Sequence, residues 1–155
     1  GQFFLVARAN QGKVVTEANV INNLAAAPSA VSLRPAFIEL TGELVAVPAS
    51  LADGKKGVFS LRLINSGTIP AKGRISLQLL ASTDDTESVG DLPLLAARPT
   101  TISLSPGQRT LRLSGTVPLN TAAGTYRLIL KLDATSLNAK NPAKTVVSPL
   151  SLSVV

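Results

Sequence analysis

The chain has 155 residues, room for one ordinary domain and a remainder, and its 45% hydrophobic and 15% charged residues suit a core-forming protein and exclude a disordered tail. It holds no Cys, His, Met or Trp, and its aromatics are four Phe and one Tyr, which removes disulfides, thiolate chemistry, imidazole bases and the commonest zinc ligands. The net charge of +6 comes from 15 basic against 9 acidic residues, scattered singly apart from Lys55-Lys56 and lacking the clustered, aromatic-interleaved pattern of a nucleic-acid surface.

The first segment, Gly1-Gln2-Phe3-Phe4-Leu5-Val6-Ala7-Arg8-Ala9-Asn10, lines up with Gly124-Thr125-Tyr126-Arg127-Leu128-Ile129-Leu130-Lys131-Leu132-Asp133. Phe3 then falls on Tyr126, Leu5 on Leu128 and Arg8 on Lys131. Downstream, Pro28-Ser29-Ala30-Val31-Ser32-Leu33 resembles Pro149-Leu150-Ser151-Leu152-Ser153-Val154 after a two-residue gap. An internal repeat of this kind marks a tandem array. Residues 1–35 are therefore expected to be the terminal strands of a preceding immunoglobulin-like repeat plus a linker, and residues 36–155 one complete β-sandwich. Without an initiator Met or a basic-then-apolar leader, the chain is expected to be a fragment or a processed product.

Beyond residue 36, apolar and polar residues alternate in short runs, the signature of half-buried antiparallel strands. The pattern predicts strands near residues 37–45, 58–64, 74–80, 94–96, 100–104, 110–117, 126–133 and 145–155. Asn65-Ser66-Gly67-Thr68 and Ser105-Pro106-Gly107-Gln108 supply turns between them, with Gly67 and Gly107 suited to positive φ. Parity turns Leu61, Leu63, Ile75, Leu77, Leu79, Leu111, Leu113, Leu128 and Leu130 inward. Residues 82–91 and 137–143 are expected as surface loops. The fold class is all-β, an immunoglobulin-like antiparallel sandwich.

Several positions carry chemistry worth weighing. Asp84, Asp85, Glu87 and Asp91 gather carboxylates of the kind Ca²⁺ takes, yet the spacing fits no EF-hand and a solvated acidic loop is the expected reading. Tyr126, at a strand start, is expected in the core as a corner tyrosine rather than exposed for glycan stacking. Arg74, Arg127 and Lys131 share outward parity on neighbouring strands and could form a cationic stripe for an anionic glycan, or be ordinary outward charge. Phe3, Leu5 and Ala7 form an apolar face suited to strand pairing and assembly. Ser residues are abundant without a Gly-x-Ser-x-Gly elbow, so no catalytic, cofactor or metal residues are expected. No apolar run reaches the roughly 20 residues that span a bilayer as a helix.

Residues 57–133 resemble the cell-adhesion-related domain found in bacteria, usually called CARDB. The resemblance rests on Leu63-Ile64-Asn65-Ser66-Gly67-Thr68 with Pro70-Ala71, on Ser82-Thr83-Asp84 in the strand and loop 77–91, on Leu104-Ser105-Pro106-Gly107, and on Ala123-Gly124-Thr125-Tyr126-Arg127-Leu128. Val14-Val15-Thr16-Glu17-Ala18-Asn19 and Asn22-Asn23 resemble the same family's domain end; residues 138–144 depart from it, with Lys140 near the place of Glu17. The resemblance implies non-catalytic tandem repeats at the cell surface or outside the cell. Their partners would be neighbouring repeats or identical subunits, with surface glycan the alternative.

Overall fold

The computed structural model describes residues 1–155 apart from Lys13 and Val20 and the side chain of Asn22, so of the Asn22-Asn23 pair the Asn22 side chain lies outside the described residues. The chain divides into two compact units, Gly1–Pro35 and Ala36–Val155.

The first unit is an antiparallel hairpin. Its outgoing arm carries β1 (Gln2–Phe3) and β2 (Val6–Arg8), and its returning arm β3 (Leu24–Ala26) and β4 (Val31–Ser32). β1 pairs with β4 and β2 with β3. Backbone bonds extend the two ladders, from Leu33 N–H to Gly1 O, Ala27 N–H to Leu5 O and Ala9 N–H to Asn23 O. In the connection Asn10 takes a positive φ of 45°, and its side chain both donates to Val15 O and accepts from Val15 N–H.

The second unit is a two-sheet sandwich built from β5 (Leu40–Ala46), β6 (Ser50–Leu51), β7 (Lys56–Asn65), β8 (Ala71–Ser82), β9 (Leu92–Leu104), β10 (Gly107–Thr116), β11 (Gly124–Asp133) and β12 (Ala143–Val154). One sheet runs β10-β7-β5, the other β6-β12-β11-β8-β9. All of these pairings are antiparallel except that of β6 with β12, which is parallel. The connectivity is that of an immunoglobulin-like sandwich, two Greek-key-linked sheets over one core.

Alternation on β7, β8, β10 and β11 sends one residue in two to that core. Leu61, Leu63, Ile75, Leu77, Leu79, Leu113, Leu128 and Leu130 are all buried, while Leu111 is half-buried against the same cluster. Phe59, Leu40 and Leu152 complete it, each fully buried.

Two local expectations differ from the structure. The strands predicted at 94–96 and 100–104 are one continuous strand, β9, although Pro93 and Pro99 lie within it. β9 is an edge strand, where half of the N–H groups have no ladder partner to lose, so proline is tolerated there. Gly67 does not take positive φ; Gly107 does, at 132°. Gly67 is needed for space instead, because a Cβ would meet Phe37 O at 2.3 Å and Glu39 N at 2.9 Å.

That close approach is organised by Asn65, which is 1% exposed at the end of β7. Its side-chain oxygen accepts from Gly67 N–H at 3.0 Å, and its amide nitrogen donates to Ile69 O and Leu104 O at 2.9 and 3.2 Å. One amide thus closes the β7–β8 turn and ties it to the end of β9.

Candidate assembly surface

The pairing register of the hairpin reproduces that of β11 and β12. In the sandwich Thr125 faces Ser153, Tyr126 faces Leu152, Ile129 faces Val147, Leu130 faces Val146 and Lys131 faces Thr145. In the hairpin Gln2 faces Ser32, Phe3 faces Val31, Val6 faces Ala26, Ala7 faces Ala25 and Arg8 faces Leu24. Adding 123 to each outgoing residue and 121 to each returning one converts every hairpin pair into a β11–β12 pair. Even the irregularity recurs, since the register shift between Arg127 and Ile129 has its counterpart between Phe3 and Val6. A bulge reproduced at the same place is a strong marker of common architecture, because each bulge re-aims the side chains that follow it.

Burial separates the two copies. Tyr126, Leu128, Leu152 and Val154 are at most 8% exposed in the sandwich, whereas the matching Phe3, Leu5, Val31 and Leu33 are 52, 63, 37 and 57% exposed. Phe4 and Val6, on the opposite face of the outgoing arm, are exposed as well. Apolar residues concentrated on both faces of a two-stranded ribbon form a patch that water does not favour, and such a ribbon is at best marginally stable alone. Ala7 shares the exposed face of Phe3 and Leu5.

Tyr126 sits in the core, and its hydroxyl donates to Ala122 O at 2.8 Å. This is the corner arrangement of immunoglobulin-like folds. Tyr126→Phe keeps the ring and removes only this bond, so thermal unfolding should show a loss of about 1 kcal/mol; an unchanged melting temperature would mean that water replaces the bond without cost.

The structure brings Arg127 and Lys131 together with the acidic loop. Arg127 Nε lies 3.2 Å from Asp85 Oδ1, and Lys131 Nζ pairs with Glu87. Arg74 lies farther along β8 on the same outer parity; its carbonyl accepts a hydrogen bond from the Ser136 hydroxyl. Two of the three cations in the predicted stripe therefore face carboxylates of their own chain. Between the two ion pairs lies Ile129, fully buried although its parity points it away from the main core. Leu80, opposite it on β8, is only 6% exposed. Loop 83–91 is thus fastened by two ion pairs to the strand face that carries the buried Ile129.

The remaining loop carboxylates are bound internally. Asp84 Oδ1 accepts from the Thr86 N–H and hydroxyl, each at 2.8 Å, and Asp91 accepts from the Ser88 N–H and hydroxyl at 2.8 and 3.0 Å. The Thr86 bonds hold the Asp84 carboxyl below its ordinary 3.8. At Asp91 desolvation pushes upward, but the hydrogen bonds from Ser88 and Ser82 together outweigh it and this carboxyl too lies below 3.8. Both bond sets belong to ionised carboxylates, so their contribution is present above the unfolded value and lost as pH falls through the lowered folded one. No group of three or more acidic residues among the described residues is arranged to hold a metal ion. Accordingly, neither a chelator nor millimolar Ca²⁺ should move the melting temperature by more than about 1 °C, since a ligand of the folded state alone must raise it. A rise of several degrees with Ca²⁺ would sink this reading of the loop.

Among solved structures, the crystal structure of the CARDB domain of a Pyrococcus furiosus protein in complex with di-metal ions matches 79% of this chain and 98% of its own, at 20% identity and a TM-score of 0.49. A solution structure of the same domain matches 78% of this chain and 98% of its own, at 23% identity and 0.45. The likeness is one of fold. These two structures carry the same domain name as the family that the sequence resembles. A β-glucosidase from Listeria innocua matches 77% of this chain over 16% of its own, at 14% identity and a TM-score of 0.44. No family model and no curated protein matches the chain. No helix among the described residues is long and apolar enough to cross a membrane.

Proposed function

We propose that this chain is a non-catalytic structural repeat of a bacterial surface or secreted protein, a spacer that holds its place in an array through neighbouring copies and by β-strand pairing. The observation that carries this reading is the duplicated hairpin register: a chain that contains the same terminal hairpin twice, once buried in a sandwich and once exposed, is built as a series of like units. The internal pairing of Arg127, Lys131 and the acidic loop supports a scaffold role, because these charges fasten a loop to a sheet rather than face a ligand.

A spacer should pass unretarded over immobilised anionic polysaccharide at physiological salt. Saturable retention that Arg74→Ala weakens would favour a glycan-binding module instead, since a surface cation exposed to ligand acts through long-range charge that salt screens.

A further inference from the structure

We infer that the hairpin of residues 1–33 is the closing pair of strands for an incomplete immunoglobulin-like sandwich, one supplying counterparts of β5 to β10 and lacking its own β11 and β12. This deepens the repeat reading above and rests on it. The occupant of the exposed face is therefore the strand set of a preceding unit in the same polypeptide, docked as residues 36–123 are docked on β11 and β12.

The choice of occupant follows from which edges are open. In residues 36–155 the outgoing strand β11 is paired on one side with β12 and on the other with β8, from Arg127 opposite Ser82 to Asp133 opposite Ser76. Among the described residues, the hairpin arm Gln2–Arg8 is paired on one side alone, with β3 and β4. In a second copy of this chain the β8 edge is already filled by that copy's own β11, so the position equivalent to β11 is taken and only the outer edges β5, β6, β9 and β10 are open. A strand set without its closing hairpin has that position vacant, with a β8 edge to extend and an apolar floor to cover.

The side chains further specify the partner. Leu130 and Leu132 are buried in the sandwich, and a Cβ on Gly42 would lie 2.8 Å from Leu130 Cδ2. The hairpin supplies Ala7 and Ala9 at those places, so its partner has room for a side chain larger than glycine opposite Ala7. On the other face Arg8 stands where Lys131 meets Glu87, and Phe4 where Arg127 meets Asp85. The partner's strap loop should then carry a carboxylate against Arg8 and an apolar residue against Phe4.

The test is a fusion in which residues 36–123 are placed directly before Gly1 of the full chain, so that the hairpin continues the added strands as Gly124 continues Ala123. A second version carries Ala7→Leu and Ala9→Leu, which restores the leucines that this particular strand set expects. A third replaces residues 1–33 of the fusion with residues 124–154 and reports whether the added strands fold in this setting. Hydrogen exchange of residues 4–10 is compared with that in the unfused chain. Docking should slow it by about 100-fold or more in the first version or in the leucine version, and Phe3→Asp with Leu5→Asp should abolish the gain. If the third version folds while residues 4–10 exchange freely in the first two, the inference is wrong. Light scattering of the unfused chain reads the other occupant: a defined dimer that protects residues 4–10 and is lost with the same aspartates would assign the face to a second copy. A repeat protein without glycan affinity could still fail this test, and a glycan binder could pass it, so the two proposals fall separately.

Discussion

Leu128→Ala should lower the stability of the sandwich by about 2–5 kcal/mol, with Leu77→Ala in the same range, because each deletes methyl groups from a site with no solvent exposure. Leu128 lies on β11 opposite Ala81 of β8, and Leu77 on β8 opposite Leu132 of β11, so the two truncations open cavities beneath the same central pair of strands. That loss corresponds to a fall of roughly 10 °C in the melting midpoint. Leu5→Ala provides the internal control. Leu5 matches Leu128 in the repeat but is 63% exposed, so in the unfused chain its truncation should change the main unfolding transition by less than about 0.5 kcal/mol. Equal effects at Leu5 and Leu128 would refute the burial contrast between the two copies.

Asn65→Ala should be nearly as damaging, at about 2–4 kcal/mol, although it removes only a small polar group. Its amide satisfies Ile69 O, Leu104 O and Gly67 N–H at once. Deleting it leaves backbone groups unpaired around a buried site, where desolvation is not returned. The denaturant midpoint should fall with an unchanged slope, since the native core remains and the surface exposed on unfolding is the same. Asn65→Asp separates shape from hydrogen bonding: it keeps the acceptor for Gly67 but loses the donor to both carbonyls and buries a charge. It should be the worse of the two at neutral pH and recover as the solution is acidified. If Asn65→Ala unfolds like the parent protein, water must enter the turn and replace the amide.

Much of this architecture is legible in the amino-acid sequence. The inward set on β7, β8, β10 and β11 follows from strict alternation at Leu61–Leu63, Ile75–Leu79 and Leu128–Leu132, because a period of two has one way to face a core. β9 was less legible, since Pro93, Pro99 and the run Ala96-Ala97 interrupt alternation and only its position at a sheet edge makes them acceptable. Alternation on β11 puts Ile129 on the face away from the main core, but gives no sign that it is fully buried there. The ion pairs of Arg127 with Asp85 and Lys131 with Glu87 join this strand to a loop more than 35 residues earlier in the chain, and one-dimensional spacing cannot express such contacts. At Gly67 the turn spacing points to a positive φ, whereas the glycine is required because its neighbours crowd the Cβ position while φ is not positive. The repeat itself was visible in Gly1–Asn10, but not the bulge, which lives in pairing and not in residue identity.

The parallel pairing of β6 with β12 bears on how such a unit behaves under tension. Ser153 lies opposite Ser50 and Val154 opposite Leu51, with Val155 N–H bonded to Leu51 O. These strands lie near the two ends of the sandwich, between Ala36 and Val155, and they run in the same direction. A pull that draws those ends apart slides β6 and β12 along each other, so their hydrogen bonds are strained together and cannot open one after another like a zip. The short ladder at the end of the chain would then act as the latch that sets the force at which the unit extends.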